Sequence, residues 1–181
     1  MQYVFKKELT KQEIAKIREE MKPIILDPEL TTEEQVLFVI ERIKAFERKY
    51  YGLTDREIEY KYTHRDCNAL ACVIESLIQG VVPGRFHRGQ SSQHTAISIY
   101  TDDDGNSIPK EERFFYDIKG KQTRAEISQS VIEGIAERVY CGELLAFARE
   151  DGLLHETPTT RIIFDKIMES KRLLNEDGMT V

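Results

Sequence analysis

Residues 63–80 of the chain read THRDCNALACVIESLIQG, and the spacing of their apolar side chains is the strongest structural signal in the sequence. After Asp66, apolar residues recur at the positions that share one helix face: Leu70, Val73, Ile74, Leu77 and Ile78. Gly80 suits the position just past a helix end, where a left-handed backbone is common. The stretch therefore predicts a core-facing helix with Asp66 as its N-cap.

Cys67 would lie in the first turn of this helix. Unpaired backbone N–H groups and the helix dipole favour a thiolate over a thiol at that position. The neighbouring Asp66 carboxylate opposes the thiolate unless its charge is used to cap the helix. The position suits a reactive thiol, although an isolated cysteine is more often a small hydrophobe packed in a core.

Two later segments predict strands that would supply a base and an acid. Residues 94–100, HTAISIY, and residues 113–120, RFFYDIKG, flank the turn-rich sequence TDDDGNSIPKEE. In an antiparallel hairpin, the register that places Tyr100 opposite Glu111 also places His94 opposite Asp117, and opposed residues share one face. A slip of one residue would separate the two side chains. With this register, Cys67, His94 and Asp117 are the candidate catalytic residues.

The rest of the chain is predicted to be mainly helical. Thr10 with Glu13 and Thr32 with Gln35 have the capping-box pattern, so two helices are expected, the second ending near Gly52. The segment REIEYKY, residues 56–62, alternates weakly and suggests a short strand, and VVPGRF is a short extended piece before the polar loop HRGQSSQ. From Thr123 the pattern is helical, with a break at 151–152 and a last helix after 157–158, where Thr-Pro fits an N-cap and N1 pair.

These elements predict one α+β domain over residues 1–181. Its N-terminal helical part would cover residues 1–52, the catalytic helix and antiparallel strands residues 56–120, and the C-terminal helices residues 123–181. The C-terminal helices are candidates for docking a partner protein or for self-association. No internal repeat and no linker divides the sequence.

Composition excludes several classes of function. The chain has 26 Lys and Arg against 32 Asp and Glu, a net charge of -6, so it lacks the basic footprint of a general nucleic-acid binder. No apolar run approaches the roughly 18–20 residues that span a bilayer, and the N-terminus lacks a signal-peptide pattern. Three cysteines, Cys67, Cys72 and Cys141, show no pairing pattern and suit a reducing compartment. We expect a cytoplasmic protein that binds no nucleic acid or membrane.

Four short motifs resemble the papain-like cysteine hydrolase superfamily. The sequence DCNAL at residues 66–70 resembles the start of the NlpC/P60 catalytic helix, and HTAISIY with its following Asp-Gly turn resembles the histidine strand of that family. The sequence GVVPGR at residues 80–85 resembles the Gly-x-Pro-x-Arg turn of transglutaminase-like proteins, and FYD at residues 115–117 resembles their aspartate strand. The chain has no tryptophan, which is common near transglutaminase-like active sites.

The resemblance implies a papain-like or transglutaminase-like core, with a catalytic helix packed on a small antiparallel sheet. It implies a hydrolase or acyl transferase that acts on an amide or thioester bond of a peptide or protein through a thioester intermediate. Cys67 would attack, His94 would take its proton, and Asp117 would hold the imidazole. The oxyanion would lie near the Cys67 backbone N–H, with a side-chain donor as second partner. The candidates for that donor or for substrate binding are Tyr62, Gln93, Gln90 and Asn68.

Three alternatives stay open at this point. A zinc site would need His64, Cys67 and His94 with another cysteine, but Cys67 and Cys72 are roughly 140° apart around a helix axis. We therefore expect no metal and no cofactor. The acidic loop at residues 102–107 lacks the glycine and the bidentate Glu of a calcium loop and is more simply a hairpin turn. A non-catalytic interaction domain on the same scaffold is the main rival, because function does not follow from fold.

Overall fold

The computed structural model describes residues 8–88, 92–132, 140–143, 148–149 and 152–176. Its first half is mainly helical, and a pair of long strands follows at its centre. In chain order the elements are α1 (Lys11–Glu20), α2 (Thr32–Phe46), a π-helical turn (Glu47–Tyr51), α3 (Asp55–His64), α4 (Cys67–Leu77), β1 (Val81–Arg88), β2 (Ser92–Ile99), β3 (Phe115–Asp117), β4 (Gly120–Gln122), α5 (Arg124–Ile132), β5 (Tyr140–Glu143), β6 (Ala148–Arg149), β7 (Gly152–Leu153) and α6 (Pro158–Glu176). The fold therefore combines helices with antiparallel strands, which confirms the α+β class.

The first three helices begin in the same way. Each has a threonine N-cap whose side chain accepts a hydrogen bond from the backbone of a glutamate three residues later, and that glutamate bonds back. The pairs are Thr10 with Glu13, Thr31 with Glu34, and Thr54 with Glu57. The first pair confirms the prediction. The second lies one residue before the predicted pair of Thr32 and Gln35.

The segment REIEYKY is helical, and the predicted strand there is wrong. It belongs to α3, in which the capping box at Thr54 fixes the start and Ile58 and Tyr62 are buried on one face. Residues four apart share a helix face. This spacing, together with the cap, outweighs the weak alternation that suggested a strand.

Five strands form one antiparallel sheet in the order β4-β3-β2-β1-β5. β1 extends past the predicted VVPGRF piece to Arg88, so the predicted polar loop HRGQSSQ is mostly strand, with residues 89–91 outside the described chain. The predicted strand over 113–120 is instead β3, a two-residue turn and β4, because Asp117 pairs with Gly120. The acidic loop is a hairpin turn, closed by the bridge between Thr101 and Ser107.

The C-terminal third is less helical than predicted. α5 begins at Arg124, close to the predicted start, but residues 140–143, 148–149 and 152–153 are strands, and β5 joins the main sheet beside β1. The predicted last helix is confirmed: α6 starts at Pro158, and the Thr157 hydroxyl accepts from the Thr160 N–H. The remaining residues between α5 and β7 lie outside the described chain.

Two apolar clusters pack on opposite faces of the sheet. The larger one joins the helices α1 to α4 and α6 to alternate strand residues such as Ile97, Ile99 and Tyr116. The smaller one consists of Phe86, Ala96, Phe115 and Ile127, and it lies under α5. Because strand side chains alternate between faces, His94 and Asp117 belong to the same face as Ala96 and Phe115.

Among the described residues, no helix combines the length and apolarity that crossing a membrane would require.

Candidate active site

A buried hydrogen bond joins two of the candidate residues. His94 Nε2 donates to Asp117 Oδ2 at 2.9 Å, and both side chains are almost fully buried. The observed register pairs Ile97 with Tyr116 and so differs by two residues from the predicted one. A shift of two keeps every side chain on its predicted face, so His94 and Asp117 are diagonal neighbours instead of directly opposed residues.

Asp117 is held in place by its second oxygen. Oδ1 accepts hydrogen bonds from the Lys119 backbone N–H at 2.7 Å and from Gln122 Nε2 at 2.6 Å. Burial alone would raise the pKa of Asp117, but the hydrogen bond and charge of His94, with the Lys119 and Gln122 donors, lower it below its ordinary value. Asp117 is therefore an ionised and well-oriented partner for an imidazole.

The other nitrogen of His94 is directed away from Asp117. His94 Nδ1 is buried and makes no hydrogen bond to any described residue. Burial alone would lower the pKa of His94, but the hydrogen bond to Asp117 and the nearby Cys67 thiol raise it to about 9. Because Asp117 holds the Nε2 proton, the lone pair of neutral His94 is on Nδ1, the atom available to accept a proton.

Cys67 is the first residue of α4 and Asp66 occupies the N-cap position, both as predicted, but capping by the Asp66 carboxylate is not seen. The Asp66 side chain makes no capping hydrogen bond within the described chain, and it lies 3.9 Å from the Lys61 ammonium. Burial alone would raise the pKa of the Cys67 thiol. His94 and Thr95 overcome this effect and lower the pKa below its ordinary value. The site thus favours a thiolate at Cys67 beside an imidazolium at His94.

Thr95 connects the thiol to Asn68. The Thr95 hydroxyl donates to Asn68 Oδ1 at 2.6 Å. A hydroxyl has one proton to donate, so the stabilisation that Thr95 gives the Cys67 thiolate is best assigned to its backbone N–H. Asn68, a predicted donor, is half-buried and lies next to the nucleophile in the first turn of α4.

Tyr62 lies in a different buried cluster. Its hydroxyl donates to Glu47 Oε1 at 2.7 Å, and the same oxygen accepts from Lys61 Nζ at 2.6 Å and from Thr159 Oγ1 at 2.8 Å. Glu47 is fully buried at the start of the π-helical turn. Since its proton is engaged there, Tyr62 is not placed as the oxyanion donor that the sequence suggested.

The two predicted glutamines receive no support from the structure. Gln93 lies in β2, paired with His87, but its side-chain surroundings are outside the described structure. Gln90 lies outside the described residues altogether.

Within the described chain, no group of three or more His, Cys, Asp or Glu side chains could hold a metal ion. In the zinc alternative, His64 is exposed and its Nδ1 lies near Thr63 and Tyr60, while His94 Nε2 is bonded to Asp117. Cys67 and Cys72 are both buried and free of disulfides.

No family model, curated protein or solved structure matches the chain. The interpretation of this site therefore depends on its own geometry and on the short motifs in the sequence.

Sequence reasoning missed two polar residues of the site, Gln122 and Thr95, and one of the neighbouring buried cluster, Glu47. Gln122 donates a hydrogen bond to Asp117, and Thr95 donates one to Asn68. Glu47 accepts hydrogen bonds from Tyr62 and Lys61. Thr95 follows His94 directly, so strand alternation alone would have placed it on the face toward α4. Gln122 and Glu47 carry no comparable signal, because a lone Gln or Glu is usually a surface residue.

Proposed function

We propose that the protein is a cysteine-dependent hydrolase or acyl transferase that acts on an amide or thioester bond. The hydrogen bond between His94 and Asp117 is the main observation behind this proposal, because it leaves Nδ1 of a buried imidazole unpaired among the described residues. The Cys67 thiol is close enough to this ring to raise its pKa. A carboxylate, an imidazole and a thiol in this order form the general arrangement of nucleophile, base and orienting group. The packing of α4 on the antiparallel sheet agrees with a papain-like core.

Transfer of the Cys67 proton to His94 Nδ1, which the folded site favours even before a substrate binds, would generate the nucleophile. The Cys67 thiolate then attacks the carbonyl carbon, and the carbonyl electrons move to the oxygen. His94 returns its proton to the leaving group as the tetrahedral species collapses to a thioester. Water or an amine next releases the acyl group and regenerates the thiol. The buried Asp117 carboxylate stabilises the imidazolium throughout these steps.

The proposed substrate is an amide or thioester group of a peptide or protein. The same thioester intermediate serves hydrolysis, deamidation and acyl transfer, which differ in the acceptor that enters second. The proposed site uses only side chains of this chain and requires no cofactor.

The experiment measures the rate at which iodoacetamide alkylates Cys67 between pH 5 and pH 10. We expect wild-type Cys67 to react as a thiolate well below the ordinary thiol pKa of about 8.5. In His94→Ala the rate should rise only near or above that pH, because Thr95 alone then opposes the effect of burial on the thiol pKa. Asp117→Asn should shift the profile in the same direction by a smaller amount.

Two control variants make the result specific. His64→Ala removes an exposed histidine at the end of α3 and should leave the profile unchanged. Cys67→Ala measures the labelling of Cys72 and Cys141. An unreactive Cys67 in the folded protein, or the same ordinary titration in wild type and both site variants, would refute the proposal.

A non-catalytic interaction domain is the second candidate. Cys67 and His94 are only 6% and 3% exposed, and a polar pair that merely stabilises the sheet would also be buried. Such a domain would have no use for a thiolate. Slow alkylation with an ordinary thiol pKa would therefore favour it.

A further inference from the structure

The backbone at the start of α4 offers hydrogen-bond donors beside the thiol. The first helical hydrogen bond runs from the Leu70 N–H to the Asp66 carbonyl at 3.1 Å. The N–H groups of Cys67, Asn68 and Ala69 come before it and have no carbonyl partner within the helix. In α1, α2 and α3 the side chain of the N-cap threonine accepts a hydrogen bond from one of these first-turn N–H groups. In α4 the Asp66 side chain caps no described N–H group.

The buried nitrogen of His94 indicates that a reacting group belongs next to these donors. His94 is 3% exposed, and its Nδ1 bonds to no described residue although a buried ring nitrogen normally has a partner. Besides Asp117, the Cys67 thiol is a neighbour that raises the pKa of this ring. The first turn of α4 and the imidazole of β2 thus bring N–H donors and a buried ring nitrogen to the residue that carries the thiol.

The Asn68 side chain has a fixed orientation at the same place. Its Oδ1 accepts the Thr95 hydroxyl proton at 2.6 Å, so the two N–H bonds of its Nδ2 are left to donate elsewhere. Thr95 itself is 1% exposed and therefore cannot turn freely. The arrangement resembles the way in which a buried acid fixes the tautomer of an imidazole: one hydrogen bond sets which atoms the side chain presents.

We propose that Asn68 Nδ2 and the Cys67 backbone N–H bind the oxyanion of the tetrahedral intermediate, and that Thr95 is the positioning residue for Asn68. This inference rests on the proposed function. In the reaction, the C–S bond forms as the carbonyl π electrons move to oxygen, and the negative charge on that oxygen receives the two N–H groups. Asn68 is a catalytic residue in this scheme, and Thr95 acts through it.

Two probes separate oxyanion binding from thiolate formation. With iodoacetamide the thiolate forms a C–S bond at a saturated carbon as the C–I bond breaks and iodide leaves, so no oxyanion forms. p-Nitrophenyl acetate acetylates the same sulfur through a tetrahedral oxyanion, and collapse of this species breaks the C–O bond and expels p-nitrophenolate. Both reactions require the Cys67 thiolate, so the ratio of the two rates reports the oxyanion alone. Cys67→Ala gives the background for each probe.

Asn68→Asp keeps an acceptor for the Thr95 hydroxyl and removes both N–H donors. We expect the ratio of acetylation to alkylation to fall by about 100-fold, the effect of losing one oxyanion donor in other enzymes. Asn68→Leu removes the donors without adding a charge and should show the same loss. Thr95→Val should lower the ratio by about 10-fold, whereas Thr95→Ser keeps the hydroxyl and should keep the ratio.

Thermal unfolding of each variant shows whether it is folded. An unchanged ratio in both folded Asn68 variants would overturn the proposal, as would a parallel loss of both rates. If Cys67 of the wild type titrates as an ordinary thiol with iodoacetamide, the proposed function itself fails, and this outcome is distinct from a failure of the Asn68 assignment.

Discussion

Gln122 shows how a residue without a sequence signal supports the site. Its Nε2 donates to Asp117 Oδ1 at 2.6 Å and it is 9% exposed. With the Lys119 N–H on the same oxygen, it fixes the carboxylate so that Oδ2 points at His94. Gln122 also helps to keep Asp117 ionised in a buried place, since hydrogen bonds to a carboxylate lower its pKa.

Replacing this side chain should weaken the site without abolishing it. Gln122→Met preserves length and removes the donor, so Asp117 keeps one of two donors on Oδ1. We expect the pKa of Cys67, measured by alkylation, to rise and the alkylation rate at pH 7 to fall by about 3- to 10-fold, equivalent to roughly 1 kcal/mol for one hydrogen bond.

Lys119→Met is the matched control, because it removes an exposed neighbouring side chain and retains the backbone N–H that contacts Asp117. Equal rates in Gln122→Met and wild type would show that the Lys119 N–H suffices to orient the carboxylate.

At the scale of single residues, the sequence predicts which side chains share a face of the sheet, because side chains alternate between the two faces along a strand. His94 and Asp117 share a face under the predicted register and under the observed one, because the two registers differ by two residues. Cys67 at the start of α4 follows from the helical spacing after it. The hydrogen bond between Thr95 and Asn68 depends on how α4 packs against β2. The local sequence pattern of either element does not determine this packing, so the contact could not be predicted.

The connection from α4 to β1 depends on one glycine. Gly80 has φ +77°, a left-handed conformation, and a Cβ at this position would clash with the Thr101 hydroxyl. The helix ends at Leu77 with an extended residue, Ile78, so Gly80 lies farther from the helix than the predicted C′ position. Its carbonyl accepts from the Tyr100 N–H at 2.9 Å, which ties this turn to the end of β2.

Gly80→Ala should therefore lower the free energy of unfolding by more than the same substitution at another glycine with a left-handed backbone. Gly105 has φ +83° and no described atom within 4 Å of an added Cβ, so Gly105→Ala reports the backbone strain alone. We expect about 1 kcal/mol of destabilisation for Gly105→Ala and about 2–3 kcal/mol for Gly80→Ala, measured by urea unfolding.

The added variant Gly80→Ala/Thr101→Ala removes the clashing hydroxyl and should recover the difference. Equal losses at Gly80 and Gly105 would show that Thr101 moves aside without cost.

Helices with strong end signals were predictable, and short elements were not. The apolar spacing indicated α4, and the N-cap and N1 pair of Thr157 and Pro158 indicated α6. Both helices start where predicted. α3 was missed because ten residues offer only two buried positions, Ile58 and Tyr62, for a periodic signal. The strand β5 was predicted as helix, because its four residues obtain their conformation by pairing with β1, a long-range contact.

On the scale of the whole molecule, we expect folding to transfer a proton from Cys67 to His94, because the folded site lowers the pKa of the thiol and raises that of the imidazole. The unfolded chain at pH 7–8 has a thiol and a neutral imidazole, whereas the folded site favours a thiolate and an imidazolium. The pKa of His94 is raised to about 9, so its contribution to stability is full below pH 6.5 and is lost as the pH rises toward 9. The pKa of Cys67 is lowered, so its contribution grows as the pH rises through its folded pKa.

Because these two stabilising contributions change with pH in opposite directions, we expect the changes to offset each other between pH 6.5 and 9. Cys67→Ser cannot ionise in this range, while Asp117 still binds the imidazolium. The free energy of unfolding of Cys67→Ser should therefore fall by about 1–2 kcal/mol more than that of the wild type between pH 6 and pH 9. Urea unfolding at intervals of one pH unit measures this difference.

The double variant Cys67→Ser/Asp117→Asn is the control, because it removes the carboxylate that holds the imidazolium. Its stability should depend less on pH over the same range. If the free energies of unfolding of wild type and Cys67→Ser changed with pH in parallel, this result would contradict a proton transfer from Cys67 to His94.

The buried Glu47 carboxylate has a consequence for the order in which the protein becomes stable during synthesis. Two of its donors, Lys61 and Tyr62, follow it within 15 positions, but the third, Thr159, lies 112 positions later in α6. Helix α6 also supplies the Lys166 carbonyl to the Ile24 N–H and the Lys171 ammonium to the Leu77 carbonyl. While the ribosome is still making α6, these groups and the apolar surface beneath them face water or chaperones. We therefore expect a nascent chain stalled before Thr157 to be cut readily by proteases, and a chain released with α6 to resist them.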